Sequence, residues 1–122
     1  MLRSILLVGA GGAAGSILRF LVGIWIGKYN SGPYPWATFW VNITGSLAIG
    51  LLLGYFSRQP DQANLKLLLV TGLCGGFTTF SAFTAEHITL LQQGHQQLAM
   101  VYIFSSVVAG MLAAWLGLYL AR

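Results

Sequence analysis

Four apolar stretches follow one another along the chain, at about 4–27, 36–57, 65–91 and 97–121. Each holds at least 20 residues. At about 1.5 Å per helical residue, that length crosses a hydrocarbon core of ~30 Å. The runs between them are short and polar or turn-forming: Lys28–Pro35 with Gly32, Pro33 and Pro35, Arg58–Asn64 with Pro60, and Gln92–Gln96 with Gly94. The pattern predicts four transmembrane helices in a single domain spanning residues 1–122, with almost nothing outside the bilayer. The first stretch is too long for the apolar region of a signal peptide and holds Arg19, so it is expected to stay as a span.

The third stretch breaks its own pattern. Gly75-Gly76-Phe77-Thr78-Thr79-Phe80-Ser81-Ala82-Phe83 joins two glycines to two threonines, all poor helix formers. At mid-membrane such backbone is tolerated only where protein buries it or it lines a watery cavity. The third helix is therefore expected to be broken mid-membrane, with Gly75 to Thr78 unwound and Phe80 to Phe83 on the helix that follows. Small residues also recur four apart, at Gly11/Gly15, Gly23/Gly27, Gly50/Gly54, Gly72/Gly76, Gly110/Ala114 and Ala113/Gly117. Such positions let helix backbones approach closely in lipid. Four short spans enclose little interior, so some of these faces are expected to meet a second subunit.

Composition supports the membrane class. The chain is 57% hydrophobic and 7% charged, against roughly 25% charged in soluble domains. The net charge of +4 comes from six scattered basic residues, so no nucleic-acid surface is expected. A single cysteine, Cys74, excludes an internal disulfide. Arg3, Arg58, Lys66 and Arg122 lie on the side of the termini, Lys28 and a snorkelling Arg19 on the other. That asymmetry only weakly favours cytoplasmic termini. Trp25, Tyr29, Tyr34 and Trp36 would form an aromatic belt at one interface, and Tyr55, Trp115 and Tyr119 at the other.

Several motifs carry no chemistry. Gly9-x-Gly11-x-x-Ala14 imitates a dinucleotide fingerprint, but it sits in a membrane span with no acid following. Asn42-Ile43-Thr44 fits a glycosylation sequon inside a span. His87 and His95 have no partner at metal-ligand spacing. Glu86, near the end of the third stretch, is expected to be a solvated interfacial acid, a proton carrier being the alternative.

Polar groups within spans are costly and need a use. Thr38, Asn42 and Ser46 recur every four residues on the second span, and Tyr102, Ser106 and Gly110 on the fourth. The third adds Thr71, Ser81 and Thr84. These groups either glue helices by hydrogen bonds or line a shared polar file. Asn42, Ser81, Tyr102 and Ser106 offer N–H or O–H donors, Arg19 is the one deep charge, and no acid lies at mid-membrane. That set suits a small anion. Phenyl rings are positive at the edge, so Phe80 and Phe83 would attract an anion weakly, as conduction requires. Ordinary core packing is the other reading of both rings.

Taken together, three stretches resemble the Fluc (CrcB) fluoride ion channels of bacteria: Gly11-Gly12-Ala13-Ala14-Gly15 with Arg19-Phe20, Thr38-Phe39-Trp40-Val41-Asn42-Ile43-Thr44-Gly45-Ser46, and Gly72 to Phe83. The resemblance covers essentially the whole chain. It implies an all-α integral membrane protein of four transmembrane helices per subunit, assembled as an antiparallel dual-topology homodimer in the bacterial inner membrane. It implies a passive, non-enzymatic fluoride channel with two pores per dimer, lowering cytoplasmic fluoride. Phe80, Phe83, Asn42, Ser81, Tyr102, Ser106 and Arg19 match the pore set, with Arg19 the least defined. A structural Na+ at the dimer centre would be held by backbone carbonyls at Gly75 and Thr78. Ala82 departs from the family, which commonly carries a hydroxyl residue there. A proton-coupled small four-span exporter is the alternative function.

Overall fold

The computed structural model describes residues 1–122. Four helical spans, Leu2–Gly27, Trp36–Arg58, Ala63–Gln92 and Gln96–Ala121, are each long and apolar enough to cross a membrane. Their ends fall within two residues of the hydrophobic pattern. Only 15 of 122 residues are buried, so most apolar surface is turned outward, as suits lipid or another chain.

Helix α1 is Leu2–Gly27 and α2 is Trp36–Arg58. The third span is composite: α3 (Ala63–Lys66), a π-helical run Leu67–Cys74, α4 (Gly75–Phe77), then α5 (Phe80–Gln92). Helix α6, Gln96–Ala121, completes the fold. Helix α2 packs chiefly on α6, while α1 packs on the π run and α4.

Glycine makes both pairings possible. Lipid tails are as apolar as leucine, so helices gain by close backbone approach rather than by burial. A Cβ on Gly72 would lie 2.9 Å from Gly11 Cα, and one on Gly76 2.9 Å from Gly12 Cα. Across the other pair, a Cβ on Gly117 would meet Leu51 N at 2.7 Å, and one on Gly50 Leu118 N at 2.9 Å. Gly23 and Gly27 have no neighbour within 4 Å, so that pair serves no contact within the chain.

The extended backbone is confined to Thr78 and Thr79, at the end of the expected stretch Gly75 to Thr78 and one residue beyond it. Gly75 is helical at φ −63° and ψ −38°, and α4 continues to Phe77. The extended residues are Thr78 (φ −76°, ψ 152°) and Thr79 (φ −145°, ψ 120°). The glycines serve close approach to α1, which a helical backbone satisfies. The β-branched threonines accept extension readily. The π run was not foreseen; its apolar residues carry no signal separating it from α-helix.

Two connections also matter. Gly94, at φ 81°, ends α5; Gly94 N–H donates to Leu91 O and His95 N–H to Leu90 O, a glycine-dependent helix stop that turns α6 back. In the first loop Tyr34 is half-buried. It folds inward, sharing a 2.7 Å hydrogen bond with Ser105 Oγ and setting its ring 5.4 Å from that of Tyr102.

Replacing Gly72 by Val should force α1 away from the π run and cost about 1–3 kcal/mol, seen as a lower unfolding temperature in detergent. Gly23→Ala, into open space, should leave that temperature unchanged or raise it slightly, since alanine is the better helix former. Equal stability of the two variants would refute the backbone contact.

Candidate functional site

Helix α2 holds the two extended threonines in place. Asn42 Nδ2–H donates to Thr79 O at 3.0 Å, and Thr79 N–H donates to Asn42 Oδ1 at 2.8 Å. One side-chain amide thus replaces both helical partners that the Thr79 peptide has lost. Thr79 then caps α5, its Oγ1 accepting Ala82 N–H at 3.1 Å. Thr78 closes the preceding helix, its N–H and Oγ1–H donating to Cys74 O at 3.0 and 2.8 Å.

Beside this joint lies a cleft of about 330 Å³ whose lining includes Asn42, Ser46, Thr78, Thr79, Phe80, Phe83 and Ser106, with no charged side chain. Asn42 has two amide hydrogens and spends one on Thr79 O, which leaves the other for the cleft. Ser106 Oγ is buried with no hydrogen-bond partner within the chain. The Phe80 and Phe83 rings stand 5.9 Å apart, tilted by 38°. Phe83 packs on Tyr102 at 4.9 Å. Phe80 is 77% exposed although it lies well inside the span.

The residues singled out in the sequence therefore separate. Asn42, Phe80, Phe83 and Ser106 share the cleft. Tyr102 is fully buried behind Phe83, its hydroxyl directed elsewhere. Ser81 is exposed, and its hydroxyl meets Thr79 Oγ1 at 3.3 Å. Arg19 lies outside the cleft, in a second cavity with Thr38, Thr79, Ala82 and Glu86 among its walls. Its Nε–H donates to Gly76 O at 3.3 Å.

Glu86 corrects the sequence reading. It is half-buried, and both of its oxygens are hydrogen-bonded to side chains. Thr38 Oγ1–H donates to its Oε1 at 2.6 Å, and Tyr102 O–H to its Oε2 at 2.8 Å. The carboxylate thereby ties α2, α5 and α6 together, since an embedded acid needs donors on both oxygens. Its signal was present in the chain: both polar stripes begin with a hydroxyl residue, Thr38 and Tyr102, and each needed an acceptor.

Residues 6–118 match the family described as CrcB-like protein, Camphor Resistance (CrcB). Among curated relatives, a protein of Flavobacterium psychrophilum called fluoride-specific ion channel FluC is 46% identical over 122 residues, 99% of this chain and 98% of that one. One of the same name from Rhizobium meliloti is 44% identical over 99% of this chain and 98% of its own. Another, from Phocaeicola vulgatus, is 42% identical over 99% and 100%.

The Glu86 cluster yields a measurable coupling. Tyr102→Phe should destabilise the chain by about 1.5–3 kcal/mol, the range for a hydrogen bond to a charged group. The same change in a Glu86→Gln background should cost less. Strictly additive losses in this double-mutant cycle would show that the contact carries no energy.

Proposed function

This chain belongs to the CrcB family, and from that premise we propose that it is a passive fluoride channel. The observation that carries the reading is the uncharged cleft at the joint, where Asn42 and Ser106 hold donors free beside two phenyl rings. Fluoride is small and strongly hydrated. Moving such an ion into a dry medium costs of order 20 kcal/mol unless donors replace its water. Asn42 and Ser106 supply N–H and O–H groups, and the ring edges of Phe80 and Phe83 supply weak positive potential. Partial donors hold an anion loosely enough to let it leave. An acid in the lining would repel it, and Glu86 faces Thr38 and Tyr102 instead.

In the same proposal, two subunits assemble antiparallel in the bacterial inner membrane, each with its third helix broken mid-membrane. The exposed ring of Phe80 supports a partner at that face, because a pore aromatic needs a second wall. Each of two pores would be lined by both subunits, with Ser81 and Tyr102 extending the polar track. Export of cytoplasmic fluoride would run down its own gradient, with no enzymatic step.

A structural Na+ at the dimer centre also fits the backbone. In an unbroken helix, Thr79 N–H would donate to Gly75 O and Ala82 N–H to Thr78 O. Here these donors go to Asn42 Oδ1 and Thr79 Oγ1. The carbonyls of Gly75 and Thr78 thereby lose their helical partners, and carbonyl oxygens suit a hard cation. Bound there, the ion would supply positive charge that joins two subunits.

A proton-coupled exporter is the second reading, favoured by one observation: Glu86 is a carboxylate inside the bundle. Fluoride efflux that follows an imposed proton gradient and disappears in Glu86→Gln would support it.

Liposomes loaded with fluoride and carrying the protein should release it to a fluoride electrode without a proton gradient, while chloride stays inside. Phe80→Ile or Phe83→Ile should abolish release although dimers still form by crosslinking. No fluoride release, or equal chloride release, sinks the channel. Replacing sodium by N-methylglucamine throughout should weaken the dimer in detergent; unchanged association would remove the structural ion.

A further inference from the structure

We propose that Arg19 is a positioning residue: from α1, its guanidinium caps the end of the helical run 63–77 and so sets the direction in which Thr79 launches α5. The effect on flux rests on the channel reading; the cap itself does not.

A helix end leaves its last four carbonyls without intrahelical donors, and lipid offers none. At this end Cys74 O is served by Thr78. The usual donor to Gly75 O has turned to Asn42. Gly76 O is served across the chain, by Arg19 Nε–H at 3.3 Å. The negative end of the helix dipole adds attraction for a cation. The register on α1 delivers the side chain there. Gly11, Gly15 and Arg19 are spaced four apart and share one face. Cβ atoms on Gly11 and Gly15 would meet Leu73 N at 2.8 Å and Phe77 N at 2.7 Å. The face that lies on the third span therefore runs out of glycine one turn before the span runs out of helix. Arg19 fills that step. It does not line the Phe80–Phe83 cleft, so its charge does not meet an ion there.

Three replacements separate a cap from an electrostatic lure. Gln places an amide nitrogen at the bond position of Arg Nε, without charge. Met places a methyl carbon there, with no donor. Lys keeps the charge but moves its donors one bond further out. Gly76–Phe77 is the only Gly–Phe pair in the chain, so carbonyl-13C glycine with 15N phenylalanine isolates the Gly76 carbonyl in solid-state NMR of liposomes. Arg19→Gln should keep the wild-type carbonyl shift and most fluoride flux. Arg19→Met and Arg19→Lys should move the shift and lose flux together. An unmoved shift in Met and Lys overturns the cap, and a moved shift with wild-type flux overturns its positioning role. Retention of flux by Lys with loss in Gln overturns it in favour of charge. Absence of flux from wild-type liposomes counts against the channel alone, because the carbonyl shift still judges the cap.

Discussion

The architecture depends on a pair of hydrogen bonds between one side-chain amide and the backbone of one residue. Thr78 and Thr79 leave the helical conformation within the third apolar span, and lipid offers a freed backbone group no partner. Asn42 answers both needs of the Thr79 peptide, accepting its N–H and donating to its carbonyl. An amide side chain suits this task because it carries a donor and an acceptor on one carbon. Everything downstream follows from the direction so fixed: the start of α5, the exit angle of Phe80, and the placing of Phe83 against Tyr102.

Around that joint each helix has a separate duty. Helix α1 is a rail of glycine along which the π run and α4 lie, backbone on backbone. Helices α2 and α6 form the second rail through Gly50 and Gly117. Polar groups then divide into those consumed by structure and those left free. Thr38, Tyr102 and Glu86 satisfy one another. Ser106, a turn along α6 from Tyr102, has a buried hydroxyl with no partner within the chain and is among the residues that line the cleft. Two buried polar atoms have no partner within the chain, Ser106 Oγ and His87 Nδ1, and only Ser106 is among the residues that line the cleft.

Hydrophobic lengths alone determined the four spans, because bilayer thickness leaves no other reading of four such runs. The glycine spacings equally announced close helix contacts, and the Thr38 and Tyr102 stripes announced a polar interior. What the chain could not show was which groups meet. Two glycines and two threonines in a row say that the helix is weak, not where it yields. The contact with α1 decided that Gly75 and Gly76 stay helical, and Asn42, 37 residues upstream, decided that Thr79 does not. Glu86 looked solvated because a helix end near the interface is wet; its two donors come from other helices. Arg19 drew notice as the deepest charge; its Nε–H donates to Gly76 O, a partner 57 positions away that no local pattern names. Periodicity is a local property and was legible in the sequence. Hydrogen-bond partners between spans belong to the packing of helices, and only the tertiary structure settles them.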